Sequence, residues 1–325
     1  MFGALLALSL ASSPEVAVLS SKGEVAELRF QPLSSTELIT PVARFTHAEG
    51  SAVLGSLIPR TRVVVASATM KSNGDLSFAN SLIRLEANKS PRVLAEGLAY
   101  GSRPLVTAEG RVFVSRGVAG AEPESARDSL RVDQLSVEEI DSNTAARRTV
   151  YSTHGYVTFL AGALGRELLI YEVTPAGARL LAVHADTLAV REVLPSMMAL
   201  ARDFVIDAPR NRVLFTQGEA FGERWFVEQV DLRSGERKRL ADGPEVTMLP
   251  AVLADGRVLI SHGPGEGLFA LDGTRVVAPH GSGFDRLVQG LFVHEVPSDF
   301  PSIFTAKGAL ITAPASRLDV AGVTP

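Results

Sequence analysis

Histidine and carboxylate side chains are the groups in this chain that could bind a metal ion or transfer a proton. Imidazole nitrogen and carboxylate oxygen together suit zinc and other divalent ions. The candidates all lie in or beside predicted connections between strands, at one end of the predicted sheets. They are His47, His154, His262, His280 and Glu266. This placement gives the hypothesis of a metal or acid–base site. The alternative is a set of ordinary surface residues, because loops collect polar side chains and these spacings match no ligand motif.

A second candidate site is the segment Gly281 to Phe300, the longest predicted connection between sheets. It is rich in apolar side chains and contains one histidine; we predict a partner-binding role for Phe284, Leu287, Leu291, Phe292 and His294. Long ordered loops are either functional or packed on themselves. The alternative is therefore a turn of helix that packs over the sheets.

Composition and missing motifs exclude several classes of function. The chain has 325 residues, a formal net charge of −4 and no cysteine. Its basic residues form no stripe and its aromatic residues form no stacking platform, so we expect no nucleic-acid partner. The lack of cysteine excludes disulfides, thiolate zinc sites and a cysteine nucleophile. No P-loop, G-x-S-x-G or H-E-x-x-H motif is present, and we expect no cofactor. No apolar run reaches the roughly 18 residues of a transmembrane helix.

The first 13 residues have two interpretations. The apolar run from Met1 ends in Ser9-Leu10-Ala11, a small-x-small triplet that suits signal peptidase, but the segment is short and lacks an initial lysine or arginine. As a signal peptide, residues 1–13 predict a periplasmic or secreted protein whose single domain is residues 14–325. Alternatively Ala4 to Leu10 is a buried strand, and the protein is cytoplasmic.

The elements that must position these residues are short strands that recur along the chain. An Asp255-Gly256 turn precedes one apolar strand, and alternation broken by such turns indicates β-hairpins. Apolar strands of this kind begin at Arg62, Arg111, Arg166, Arg212, Arg257 and Gly308. Their starts lie 45 to 55 positions apart, which is the spacing of blade repeats. The pattern predicts an all-β chain of about six four-stranded sheets.

The two ends of the chain predict how the sheets are closed. The hairpin from Glu15 to Phe30 copies the third and fourth strands of a repeat, with no first two strands before it. Residues Ser302 to Thr312 supply the first two strands of a repeat, and the chain nearly ends there. We therefore predict that these segments complete one sheet and close a ring. Arg317 to Val323 is a further strand that competes for the same place.

Two segments carry a family resemblance. The arrangement Pro250-x-x-x-x-Asp255-Gly256-Arg257-x-x-Ile260-x-Ser261 resembles the TolB-like propeller repeat, a WD40-like or PD40 repeat. The segment Val230-Asp231-Leu232-x-Ser234-Gly235 resembles the strand and turn that complete it. The resemblance implies a six-bladed β-propeller, with seven blades as the alternative, and it carries over no catalytic residue.

The resemblance also implies a function class. TolB-like propellers are commonly periplasmic or secreted interaction scaffolds, so we expect a monomeric, non-enzymatic protein that binds a protein or peptide on its loop face. The alternative is a propeller hydrolase or lyase with a histidine and carboxylate site at the channel mouth. Because a fold does not decide a function, the position of those side chains must distinguish the two.

Overall fold

The computed structural model describes residues 15–32, 39–70, 77–121, 130–218, 224–243, 248–263, 265–277, 284–288, 291–295, 302–304, 310–311 and 317–324. These residues form strands and one short 3-10 helix, and no α-helix occurs among them. The prediction of an all-β chain is confirmed. No helix in the described ranges is long and apolar enough to cross a membrane.

The described strands form seven four-stranded units, which we number along the chain. Unit 1 comprises β1 (Glu15–Lys22), β2 (Val25–Pro32), β3 (Ala43–Thr46) and β28 (Arg317–Val323). Unit 2 comprises β4 (Leu54–Leu57), β5 (Val63–Thr69), β6 (Asn80–Glu86) and β7 (Arg92–Leu98). Unit 3 comprises β8 (Leu105–Val106), β9 (Val112–Val118), β10 (Asp133–Ile140) and β11 (Arg147–Gly155). Units 2 and 3 join into one eight-stranded sheet through a single residue pair, Leu98 with Arg116.

The remaining units follow the same plan. Unit 4 comprises β12 (Val157–Leu164), β13 (Glu167–Thr174), β14 (Gly177–His184) and β15 (Val190–Met197). Unit 5 comprises β16 (Leu200–Asp207), β17 (Arg212–Gly218), β18 (Trp225–Asp231) and β19 (Arg237–Gly243), with the 3-10 helix Ala208–Arg210 between its first two strands. Unit 6 comprises β20 (Leu249–Val252), β21 (Val258–Ser261), β22 (Leu268–Ala270) and β23 (Arg275–Val277). Unit 7 comprises β24 (Phe284–Val288), β25 (Leu291–Glu295), β26 (Ser302–Phe304) and β27 (Leu310–Ile311).

Strand position within a unit determines composition. The second strand β5 is buried at every residue because neighbouring units cover both of its faces, and such a strand reads as a continuous apolar run. The fourth strand β19 is exposed or half-buried throughout and carries charged residues.

The two ends of a unit differ in the connections that they carry. In every unit the connection from the second strand to the third lies at one end of the sheet, which we call the loop end. The opposite end, where tight turns join the other strands, is the turn end.

The core lies between consecutive units, which pack face to face. Pairs of side chains that pack in the same cluster across each contact are Leu19 and Leu57, Leu82 and Val114, Phe113 and Ile170, Tyr171 and Phe215, Trp225 and Met248, and Leu268 and Leu287. The first strands contact one another in the order β28, β4, β8, β12, β16, β20 and β24. The loop ends of the first strands therefore lie side by side.

The predicted pairing of the chain ends is wrong. The N-terminal hairpin pairs with β28, through partners such as Val16 with Val323 and Ser21 with Arg317. The strands β26 and β27 pair instead with β25, inside unit 7. The reason is that β28 brings buried apolar side chains, Val320 and Ala321, against the open edge of β1.

The predicted loop Gly281 to Phe300 is also corrected. Its described residues form the paired strands β24 and β25, with Leu287 opposite Phe292. Aromatic and branched apolar residues favour strands, and pairing satisfies the backbone groups that a loop would leave open. This extra hairpin is why the structure contains seven units where the repeat count predicted six.

Candidate functional site

The structure places the proposed metal-binding residues in different environments. His47 is 4% exposed, and its Nδ1 atom donates to the carbonyl oxygen of Ala48 at 2.9 Å. His154 is exposed on β11. His262 is exposed, and its ring centre lies 5.4 Å from that of Phe269 in an edge-to-face arrangement. Glu266 is exposed close to His262 in the chain.

No three histidine or carboxylate side chains of the described ranges are placed to hold one metal ion. His280 lies outside the described residues. The hypothesis of a metal or acid–base site therefore stays a prediction, and His47 is best understood as a packed core residue of the loop end. Its Nδ1 atom also lies 3.0 Å from the Ser51 hydroxyl, which further fixes the ring.

The proposed partner-binding residues lie on strands of unit 7. Phe284, Leu287, Leu291, Phe292 and His294 belong to β24 and β25. Leu287 packs against the core cluster of unit 6, so one of these side chains contributes to the contact between units. Their role in binding a partner stays a prediction.

Exposed apolar side chains, which sequence reasoning missed, gather at the loop end. Of the 13 large hydrophobic residues that are exposed in the described ranges, eight lie there. They are Val25, Tyr100, Val118, Leu130, Val132, Val157, Phe159 and Leu200. Seven of these eight come from units 3 to 5 or the connection that enters unit 3. The sequence does place an apolar residue at the start of some first strands. Such a residue is equally compatible with a buried strand and with an exposed position at the loop end.

A cluster of aromatic rings supports the rim of units 4 and 5. The Phe204 ring lies 6.1 Å from that of Phe159, 5.7 Å from that of Tyr171 and 5.3 Å from that of Phe215. The Tyr171 hydroxyl donates to the carbonyl oxygen of Met198 at 2.8 Å, which ties the connection between the two units to the cluster. Phe159, which is 36% exposed, is thus partly open to solvent while its ring packs against the cluster.

Charged groups lie on the same rim. Arg103 forms a bidentate ion pair with Asp319 of β28, and the backbone N–H of Gly55 donates to the same carboxylate at 2.7 Å. One carboxylate thereby connects units 1, 2 and 3. In unit 5, Asp203 has a positive φ of 53° within a bulge of β16 and pairs with Arg202 at 3.2 Å. Aspartate tolerates this left-handed conformation better than most residues, and such residues cluster at functional sites.

Known proteins share the fold of this chain. No protein-family model matches the sequence, and no curated protein matches it. Among solved structures, TolB from Acinetobacter baumannii is 10% identical, with a TM-score of 0.50 over 95% of this chain and 67% of that chain. The Pseudomonas aeruginosa periplasmic gluconolactonase PpgL is 12% identical, with a TM-score of 0.58 over 95% and 100%. An oligogalacturonate lyase in complex with manganese is 11% identical, with a TM-score of 0.52 over 91% and 89%.

The chain has a TolB-like β-propeller fold. At these identities the likeness is one of fold alone. In a propeller the first strands line the centre, so the residues just described at the loop end of β12 and β16 belong to the central rim.

A buried ionic cluster lies between units 3 and 4 of this propeller. Glu172 is 0% exposed and accepts hydrogen bonds from the Tyr151 hydroxyl at 2.7 Å and the Arg179 Nε atom at 2.5 Å. The hydroxyls of Ser115 and Thr158 are also buried and have no partner within the described part of the chain. Two hydrogen-bond donors from other strands compensate the buried negative charge of Glu172. The cluster therefore fixes the two units relative to each other.

Two of the four tyrosines are predicted to keep their protons at high pH. Burial, followed by the hydrogen bond to Glu172, raises the pKa of Tyr151 to about 12, and burial raises the pKa of Tyr171 to about 12. In the unfolded chain both lose a proton near pH 10. The stability that these two protonated tyrosines contribute to the folded state is therefore fully present below pH 10, and it falls as the pH rises toward 12.

Absorbance titration of the phenolate should show two high-pKa tyrosines in the folded protein and one in the Tyr151→Phe variant. Equilibrium unfolding at pH 9 and 11 checks the matching loss of stability. Phenolate absorbance that rises near pH 10 for all four tyrosines, while the protein is still folded, would contradict the burial of both hydroxyls.

Proposed function

We propose that the chain is a seven-bladed β-propeller whose ring is closed by β28 beside β1, and that it is a non-enzymatic binding protein. Each four-stranded unit is then one blade. Support for closure comes from the antiparallel pairing of β28 with β1 and from the contact of β28 with β4 of the next unit. Support for seven blades comes from the hairpin β24–β25, which completes a unit of its own.

The proposed partner is a protein or peptide that docks on the loop end of units 3 to 5. The observation that carries this proposal is the gathering there of exposed apolar side chains, among them Leu130 at 70% and Val118 at 66% exposure. Large exposed apolar patches mark interaction sites. Interfaces depend on a few apolar or aromatic anchors inside a polar rim. Phe159 on β12, with the charged pair Arg202 and Asp203 on the neighbouring first strand β16, fits that arrangement.

The proposed location is the periplasm or the cell exterior, and the proposed state is a monomer. The location rests on the signal-like pattern of residues 1–13. The same fold occurs in a gluconolactonase that is named as periplasmic, which is consistent with this location.

A hydrolase or lyase is the second candidate function. The observation that favours it is Asp203, whose carboxylate is held by a left-handed backbone beside Arg202 on the central rim. Two proteins of the same fold carry enzyme names, a lyase and a lactonase. An enzyme would lose its activity in the Asp203→Asn variant, whereas a binding protein would keep its partner.

Photo-crosslinking tests the proposed docking face. A photoreactive phenylalanine analogue placed at Val157 or Leu200 is expected to join the protein to one discrete partner in living cells, because both side chains are exposed on the loop end. Leu188 and Val190 are the matched controls, since they are equally exposed but lie at the turn end. Crosslinks to the same partner from the turn end, or none from any loop-end position, would overturn the proposal.

With the crosslinked partner purified, the Phe159→Asp variant is expected to bind it more weakly by about 30-fold or more. A charge at a central anchor costs about 2 kcal/mol or more, which corresponds to that change in Kd. The measurement is a titration of both proteins, with Leu188→Asp as the control.

A further inference from the structure

A polar cavity of about 320 Å³ lies on unit 3, away from the central rim. Its main lining residues are Arg116, Gln134, Ser136, Glu138, Thr149 and Ser152. This volume falls at the lower end of the roughly 300–1,000 Å³ that small-molecule sites occupy. The cavity is large enough for one small ligand.

Strand register explains why these side chains share one face. Arg116, Ser136 and Ser152 are paired neighbours across β9, β10 and β11. Alternate residues of a strand point to the same face, which places Glu138 beside Ser136 on β10. Glu138 pairs with Thr149, and a β-bulge at this point of the pairing accounts for the three-residue spacing of Thr149 and Ser152 on β11. Nearer the turn end the same face carries Val112 and Ile140, which pack in the core with unit 2. The face thus changes from apolar to polar where the cavity begins.

The two charges in the cavity compensate each other. The Arg116 guanidinium donates to both oxygens of Glu138, at 2.8 and 2.9 Å, and its Nε atom donates to the carbonyl oxygen of Glu96 at 2.6 Å. The Ser136 hydroxyl donates to the same carboxylate at 3.3 Å. Glu138 is 8% exposed. A guanidinium paired in this way with a carboxylate leaves no net charge to attract an ion.

Free hydrogen-bonding groups surround this pair. The side chains of Gln134, Thr149 and Ser152 line the cavity, are exposed to solvent and make no hydrogen bond to another described residue, so a ligand can replace the water that they bind. One amide and two hydroxyls offer both donors and acceptors. Val118, which is 66% exposed, adds an apolar surface at the loop-end edge of the cavity. Hydroxyl groups of a ligand would be matched by the polar groups, and its C–H face by the valine.

We propose that this cavity binds a small, neutral, hydroxyl-rich molecule of the sugar class. Gln134, Thr149 and Ser152 hydrogen-bond the ligand hydroxyls, and the Arg116–Glu138 pair presents a fixed donor and acceptor surface below them. Val118 borders both this cavity and the proposed docking face, but binding of a small ligand in the cavity does not depend on the partner-binding function.

Calorimetric titration tests the site with glucose, galactose, mannose and N-acetylglucosamine as probes. At least one is expected to bind saturably. The Gln134→Ala and Ser152→Ala variants should each weaken that binding by about 2- to 12-fold, the effect of one net hydrogen bond. Ser152→Trp, which fills the cavity, should abolish it. Thr144→Trp, an exposed position in the turn between β10 and β11 that does not line the cavity, is the matched control and should bind as the unchanged protein does.

Three results would overturn the proposal. The first is that none of the four sugars binds to the unchanged protein when the sugar concentration is 50-fold above a Kd of about 1 mM, the weakest Kd expected of a specific site. The second is that Ser152→Trp still binds while remaining folded by circular dichroism. The third is that galacturonate binds more tightly than galactose, since an anionic preference contradicts the internally compensated charge of the cavity.

Discussion

Joining residues 21 and 317 by a disulfide is expected to raise the free energy of unfolding by up to about 5 kcal/mol. Ser21 of β1 and Arg317 of β28 are direct antiparallel partners, and such partners have Cα atoms about 4.5–5.5 Å apart, within the range of a disulfide. The Ser21→Cys/Arg317→Cys variant would close a loop of roughly 300 residues, and the loss of unfolded-state entropy grows with loop length. The chain has no other cysteine, so no competing disulfide can form.

Thiol counting and denaturant unfolding, with and without reductant, provide the measurement. The oxidised variant should have no free thiol, remain monomeric and unfold at a higher denaturant concentration than its reduced form. Ser21→Cys/Thr144→Cys is the control, because Thr144 lies in unit 3 and should not crosslink to residue 21. Two free thiols that persist under oxidising conditions would show that the proposed ring is not closed by β28.

Removing the charge of Arg179 is expected to destabilise the protein by about 1.5–3 kcal/mol, less than for a fully buried pair because the Arg179 side chain is 42% exposed and solvent screens its charge. The Arg179→Met variant would leave the Glu172 carboxylate fully buried with only the Tyr151 hydroxyl as a donor. Loss of a hydrogen bond to a buried charged group has a cost of this size, whereas removing both partners of a buried pair is often neutral. The Glu172→Gln/Arg179→Met double variant should therefore recover most of the lost stability.

Urea unfolding of the single and double variants measures this difference. Arg224→Met serves as the comparison, because its ion pair with Asp242 is exposed on both sides and should contribute about 1 kcal/mol or less. If the single and double variants are equally destabilised, the packing of the arginine stem, and not its charge, accounts for the effect.

Binding sites were harder to predict than strands. Histidines were the candidates that the sequence offered, and the structure buries His47 and leaves His154 and His262 exposed in different units. Phe159 and Leu200 were not predicted, because an apolar residue in a strand is usually buried, and only the packing of units 4 and 5 leaves these two partly open. The cavity around Arg116 and Glu138 was equally hidden, since its residues come from three strands.

Local pattern determined the strands and their hairpins. The second strands predicted at Arg62, Arg111, Arg166, Arg212 and Arg257 all start within one residue of those positions, because alternation and turn residues act over fewer than ten positions. The repeated arginine packs on aromatic rings in two of the units: the guanidinium of Arg111 lies over the Phe113 ring of the strand that follows it at 5.2 Å, and that of Arg62 lies over the Phe30 ring of unit 1 at 4.4 Å.

Tertiary structure alone decided which strands share a sheet at the chain ends and which side chains stay exposed. The pairing of β1 with β28 joins residues about 300 positions apart, and it depends on how well Val320 and Ala321 pack beside β1. No short-range pattern carries that information, because several strands of similar composition can fit the same edge. Burial is likewise a property of neighbouring sheets, so the same type of apolar residue forms core in one unit and is exposed in another.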